Sequence, residues 1–530
     1  MKKFLSFLFV LFFGFTMVAC TNVPGQDDDK IVVTFWHAMG TANQGYIAEM
    51  IETFEAKYPG VKVEQASQGG YDELLDKVKN NIKAGTTPTI AQTYPDHVTS
   101  YLTSKNAVVD LNNYVYDEEL GFDAQGVDPS IYVDTFYNES FSYDKEGSMY
   151  SMPFNKSTEV VFYNKTIFDK YNWFVDLLGH EEAEVYEYVQ VIDEEGNPVV
   201  DKETNEPVME RVYRADFVWH PTWTELEKIG AAFKTTKEYE KHIADKKNVS
   251  AFSYDSQSNL FITLTQQLAA LDANEAYGPK GQEAYTRFAD SGLGEFTFLN
   301  ENNPYAVEAV RYYKQQYDLG HFATSGTLGV DYSSDAFKAE QCIVTIGSSA
   351  GAGYNDPGAD GFEVGVGTYP QVEGTPEEKY QVIQQGTNVT LFTQRDKEVE
   401  KYGWLFILHM TNYENATKWA TKTAYFPIRK DVLESQEYKD YLSGKTVSID
   451  ANGKEKVEYK PGLKSIAAQV AWTQNQWFYT NVAFNGSDIS RAEVETLVQN
   501  VLLSKEADIE VVIAKAFATT KTNLGNYIVE

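Results

Sequence analysis

Cysteine is scarce: Cys20 and Cys342 are the only two among 530 residues, and such a pair forms no disulfide framework. Positive charge is scarce as well. Lys and Arg number 45 against 77 Asp and Glu, leaving a formal net charge of −32. A surface that acidic repels phosphate backbones and argues against a nucleic-acid partner, and it argues equally against docking on an anionic membrane through a basic face. The seven histidines include no pair at zinc spacing, and neither a metal site nor a cofactor is expected. Asp356 and Asp360-Gly361 fail as a calcium loop, because Gly358 lacks a side chain and no Glu closes it. Beyond the first twenty residues no apolar run is long enough to span a bilayer. There is no internal repeat. What is present is apolar and aromatic: a hydrophobic fraction of 43% and an aromatic fraction of 14% exclude a disordered chain, and the length allows about three domains or two large lobes.

The amino terminus reads as a secretory leader. Lys2 and Lys3 precede the apolar run Phe4 to Val18, which closes on Met17-Val18-Ala19-Cys20. A Cys directly after Ala19 is similar to a bacterial lipobox, with Met17 where Leu is preferred; Cys20 is then the lipidated first residue of the mature protein. Residues 21–30, with Pro24, Gly25 and an Asp run, read as a solvated tether. The expected location is the outer face of the bacterial cytoplasmic membrane, held there by lipid alone.

Ile31 to Trp36 is β-branched and aromatic and predicts a strand. Tyr46 to Tyr58 carries Ile47, Met50, Ile51 and Phe54 at helical spacing, stopped by Pro59-Gly60. A short strand at Val61-Lys62-Val63, a helix over Tyr71–Ala84 capped by Gly85, and a strand at Thr89–Gln92 follow. Strand, helix, strand, helix, strand implies a parallel α/β sheet. Two stretches, Glu184–Arg214 and Thr446–Tyr459, read as inserted surface hairpins.

Six segments then occur in order. Phe35-Trp36-His37-Ala38-Met39 follows the first strand. Lys83-Ala84-Gly85-Thr86-Thr87-Pro88 precedes the third. Met152 to Thr158 leads into Phe162-Tyr163-Asn164-Lys165. Pro221-Thr222-Trp223-Thr224-Glu225-Leu226, Ala336–Glu340 with Val344–Ser348, and Tyr425-Phe426-Pro427-Ile428-Arg429 complete the set. The ordered set resembles the family 1 extracellular solute-binding proteins of bacterial ABC importers, toward the multiple-sugar and glycerol-3-phosphate members. The resemblance implies a two-lobe periplasmic-binding-protein-like α/β fold with a hinge and an interlobe cleft. It implies crossings near Pro153, near Gly386 and after Arg429. Lobe 1 then takes residues 31–154 and 387–430; lobe 2 takes 155–386 and 431–530.

By the same resemblance the cleft candidates are the aromatics Trp36, Tyr94, Tyr254, Tyr425, Trp472 and Trp477. The polar candidates are His37, Asp96, Asn155, Ser157, Ser348, Ser349, Gln385, Gly386 and Asn475. Two departures bear on the ligand. Pro95 follows Tyr94 where the glycerol-3-phosphate type has an acid. Ala471 to Trp477 also lacks the phosphate-binding Arg of that type, and a phosphate needs cations or a ring of N–H groups. Trp, Gln and Asn suit a neutral polyol. The expected function is therefore capture of a sugar or oligosaccharide by a monomeric, non-enzymatic receptor, with separate permease subunits as partners. Trp36, Trp472 and Trp477 are expected to sandwich the solute. The alternative ligand is glycerol-3-phosphate or a glycerophosphodiester.

The alternative class is a secreted hydrolase. Gly347-Ser348-Ser349-Ala350-Gly351 matches the G-x-S-x-G nucleophile elbow, but the only later histidine is His409, inside the apolar run around Trp404 to Leu408. A glycosidase needs two carboxylates across a sugar, which an acid-rich sequence can always provide; turnover separates that class from a binder. Cys342 reads as a buried free thiol.

Overall fold

The structure, a computed structural model, describes residues 30–193, 197–245, 247–449 and 455–528. The leader, Cys20 and most of the tether lie outside the described residues. Alternation along β1 (Ile31–His37) buries Val33, Phe35 and His37 on one side. β1 pairs in parallel with β2 (Val61–Ser67) and β3 (Ile90–Thr93). The connecting helix α1 (Thr41–Lys57) buries Ile47, Met50, Ile51 and Phe54 and begins at Thr41 rather than Tyr46, with Gly40 as its N-cap. α2 (Tyr71–Ala84) ends on Gly85 in the left-handed region, and α3 (Pro95–Leu102) begins on Pro95, where a missing N–H costs nothing.

β4 (Met152–Asn164) is buried along its whole length, as a strand covered on both faces must be. Then come the exposed hairpin β5 (Tyr186–Gln190) and β6 (Met209–Tyr213), β7 (Phe252–Tyr254), a short ladder of β8 (Arg287–Phe288) and β9 (Gly294–Glu295), β10 (Phe322–Thr324), β11 (Val344–Ser348), β12 (Val364–Gly367) and β13 (Val382–Leu391). A second hairpin pairs β14 (Lys445–Ile449) with β15 (Glu455–Tyr459), and β16 (Phe478–Tyr479) joins β13. The helices that matter for the site are α4 (Trp223–Phe233), α5 (Gln257–Leu271), α6 (Pro304–Asp318) and α7 (Ser487–Leu503). α4 opens with a capping box in which Thr222 and Glu225 satisfy each other's backbone N–H.

The main sheet runs β2-β1-β3-β13-β4-β11-β7-β10, with β12 also on β4. β4 and β13 are antiparallel and belong to both halves. The start of β4 pairs with β13, while its end, Glu159 to Asn164, pairs with β11 and β12. The far end of β13, Asn388 to Leu391, pairs with β3. These two strands are the hinge of a two-lobed fold. Their register shifts between Thr387 and Asn388. Gly386, at φ +98°, sits at this irregularity, and a Cβ there would lie 1.9 Å from the Asn155 carbonyl oxygen, so only glycine fits. Two large aromatic clusters form most of the core. Phe35, Phe54, Trp404 and Phe406 fill one, and Trp219, Trp223, Phe261 and Tyr313 fill the other.

Candidate functional site

A cavity of about 970 Å³ lies between the lobes. Its floor is hinge: Ser157 of β4 and Gln384, Gln385 and Gly386 of β13. One wall comes from the first lobe, through the start of α2 and the β3–α3 junction. The opposite wall combines the β7–α5 junction, the end of β11 with the turn after it, and the start of α7. Strand ends and helix starts converge here because neighbouring parallel strands of each lobe all end toward the crossing.

The polar floor is tied together. Ser348 Oγ donates to Ser157 Oγ at 3.2 Å. Asn155 is fully buried; its Oδ1 accepts from Gln92 Nε2 at 2.9 Å and from the Thr387 hydroxyl. Its Nδ2 therefore faces the hydroxyls of Tyr71 and Tyr425. Tyr71 and Tyr94 meet edge to face at 4.9 Å, and Tyr425 stacks on Trp419. Burial pushes all three phenols up, so they stay neutral.

Three ion pairs frame the cavity. Lys156 of β4 donates to Glu139, both buried. Burial raises the Glu139 carboxyl against the pull of Lys156, and lowers Lys156 against the pull of Glu139. Arg491 of α7 lies 3.6 Å from Asp96 of α3, and Lys79 of α2 lies 3.7 Å from Asp488 of α7. Both of these cross from one lobe to the other. The Asp488 side chain is only 3% exposed and burial raises its carboxyl. Each cation thus meets a carboxylate, and Asp72, Asp76, Asp255 and Glu495 add further negative charge to the lining.

Of the residues singled out in the sequence, Tyr94, Asp96, Ser157, Ser348, Gln385, Gly386 and Tyr425 line the cavity. Asn155 sits just behind it. The others lie outside the lining. His37 is buried against Gln65. Trp36 packs beside Leu74 and Val78. Tyr254 is fully buried and bonded to Glu159, and Ser349 is buried, its hydroxyl accepting from the Thr158 N–H of β4. Trp472 packs on Phe136 and Phe426, Trp477 on Tyr380 and His220, and Asn475 is exposed, donating to the Trp472 carbonyl. The rings on the cavity wall are tyrosines, and Trp36, Trp472 and Trp477, expected to sandwich the solute, are packed on neighbouring side chains instead of lining the cavity. His409 bonds Thr53 and the Met50 carbonyl on α1, away from the serines of the G-x-S-x-G stretch.

Sequence reasoning missed Arg491, Lys79, Gln384 and Asn259 on the lining, and Glu159 behind it. Glu159 did carry a signal, as an acid followed at once by Val160-Val161-Phe162. Arg491 carried none.

The chain is similar to curated relatives and to solved structures. The sn-glycerol-3-phosphate-binding periplasmic protein UgpB of Escherichia coli K12 is 23% identical over 410 residues, 77% of this chain and 76% of the relative. The UgpB structure from Mycobacterium tuberculosis in complex with glycerophosphocholine superposes with a TM-score of 0.63 at 17% identity, covering 94% of this chain and 99% of the other. The GacH receptor of Streptomyces glaucescens, solved unliganded and with acarbose, gives 0.61 at 15% identity over 94% and 99%. The family model for bacterial extracellular solute-binding proteins matches residues 49–446, and the chain belongs to that family.

Proposed function

We propose that the chain captures a neutral, hydroxyl-rich solute, a sugar or oligosaccharide, in the interlobe cavity and delivers it to the permease of an ABC importer. The observation that carries the reading is the lining itself. Tyrosine faces suit the C–H side of a sugar, hydroxyls and amides suit its rim, and the surplus of carboxylates over cations repels an anion. In this reading Tyr94, Asp96, Ser157, Ser348, Gln385 and Tyr425 contact the solute. The protein acts outside the cytoplasm as a monomer, tethered through lipid on Cys20, and performs no turnover. The lobe boundaries follow those stated from the sequence.

One observation favours a second reading, a glycerol phosphate ester. Arg491 reaches the cavity, and a guanidinium suits a phosphate. Calorimetric titration with maltotriose, glycerol-3-phosphate and glycerophosphocholine decides. Binding of maltotriose, recovered unchanged, supports the sugar reading. Binding of the phosphate esters alone, lost in Arg491→Gln, replaces it with the second.

A further inference from the structure

Glu159 of β4 is fully buried and lies outside the cavity lining, yet it holds the groups that form it. Its Oε1 accepts from Asn259 Nδ2 at 2.9 Å and from Gln385 Nε2 at 3.0 Å. Its Oε2 accepts from the Tyr254 hydroxyl, which is also within 3.0 Å of the Tyr369 hydroxyl. Its backbone carbonyl accepts from Gln474 Nε2 at 2.6 Å. Asn259 and Gln385 both line the cavity.

A carboxylate has no donor to offer. Two amides that point N–H at it are left presenting carbonyl oxygens on their other side. Asn259 spends its Oδ1 on Arg491 Nη2, so the guanidinium that reaches the cavity is set in place from behind through Glu159. Among the described residues no hydrogen bond takes Gln385 Oε1. We propose that Glu159 is the positioning residue of the solute site: it fixes Asn259 and Gln385 in one amide orientation, so that the floor offers Gln385 as an acceptor and Arg491 as a held donor. The proposal rests on the cavity being the solute site. It also sharpens the ligand class, because an acceptor floor calls for a solute that brings hydroxyl or amine donors.

An isolated carboxylate in this strand is otherwise hard to explain. Burial raises it to about 7, and a strand of the same shape with a neutral apolar residue would avoid that penalty. The ionisable groups facing it are Tyr254 and Asp255 from β7 and its end, Tyr313 from α6, Tyr369, Tyr479 from β16, and Arg491 from α7. Burial keeps the four phenols neutral. Asp255 is also raised by burial, so a control variant has to isolate Glu159.

The test uses the full chain and the variants Glu159→Gln and Glu159→Leu. Gln keeps an acceptor toward Asn259 and Gln385 and turns its own N–H₂ toward Tyr254, whose hydroxyl can then donate to Tyr369. The side-chain amide resonances of Asn259 and Gln385, assigned by single substitution, should move together between pH 5.5 and 8.5 in the wild type and stay still in Glu159→Gln. Maltotriose affinity should fall at least tenfold in Glu159→Leu and stay within about threefold in Glu159→Gln. Resonances that do not titrate, or that titrate equally in Glu159→Gln, overturn the proposal, as does unchanged affinity in a folded Glu159→Leu. Amides that titrate in a protein that binds no sugar remove the carbohydrate reading and leave the positioning role standing.

Discussion

Glu139 and Glu159 are two buried carboxylates on either side of one strand, and they are satisfied in opposite ways. Glu139 meets a cation, Lys156. Glu159, only three residues past Lys156 along β4, meets a phenol and two amides and no direct cation. Burial raises both. For Glu139 the Lys156 ammonium pulls against the rise, and the pair braces the hinge strand. For Glu159 the pull against the rise comes mainly from neutral donors, and burial leaves the carboxyl at about 7. A buried charge paired with a charge gives rigidity; one held by neutral donors gives orientation that a proton can alter.

Breaking the charged member should have the largest effect. Lys156→Met leaves Glu139 buried without its cation, a change that costs about 3–5 kcal/mol in such pairs. Urea unfolding should show it. The double variant Lys156→Met/Glu139→Leu should recover most of the loss, because the desolvation penalty leaves with the charge. A single variant as stable as wild type means that the pair contributes nothing.

Glu159 should show itself through pH. Its folded value, about 7, lies above the ordinary 4.5, so the native state holds a proton that the unfolded state has released. The stability from this group is complete below about 4.5 and is lost as pH rises through 7. The total is about 3 kcal/mol by linkage. Subtracting the Glu159→Gln stability curve from the wild-type curve isolates it. A flat difference curve between pH 5 and 8.5 contradicts the assignment.

The contrast was half legible in the sequence. The order of strands and helices around Ile31 to Thr93 followed from periodicity and from Pro59-Gly60 and Gly85, because local spacing and turn chemistry decide those elements. The crossing near Gly386 was expected only through the family resemblance; the structure supplies the reason for glycine there, a φ of +98° and a Cβ that would meet the Asn155 carbonyl oxygen. The cavity rings were not. Tyrosine and tryptophan look alike as candidates in a linear sequence, and which of them is spent on core packing depends on contacts far apart in the chain, such as Trp472 with Phe136. Arg491 was invisible for the same reason: it meets Asp96 only after the chain has crossed between lobes, 395 positions on by residue number.

A smaller step sharpens the same comparison. Tyr254→Phe removes one donor from Glu159 and leaves both amides. A hydrogen bond to a charged acceptor contributes about 1.5–3 kcal/mol. The loss should be largest at pH 8, where Glu159 is ionised, and should shrink toward pH 5. Melting temperatures at the two values check it; equal losses place the effect in packing rather than in the bond.

The smallest effect should come from Lys79 and Asp488, which join the lobes at the cavity wall. This pair falls between the other two. Asp488 is as buried as Glu139, but Lys79 is 31% exposed, and solvent screens a pair with one exposed partner to roughly 1 kcal/mol or less. Lys79→Met should therefore lower stability by no more than about 1 kcal/mol at pH 8 in low salt. Asp488 is already raised by burial, and Lys79 is the largest of the influences that hold it down. Without Lys79 its folded value climbs further, so the loss is present at high pH and fades as pH falls and Asp488 is protonated in the native state. Added salt should also erode it, since a Debye length of about 8 Å at physiological ionic strength reaches the exposed partner. A loss independent of both pH and salt means that the Lys79 stem, and not its charge, supports the contact between α2 and α7.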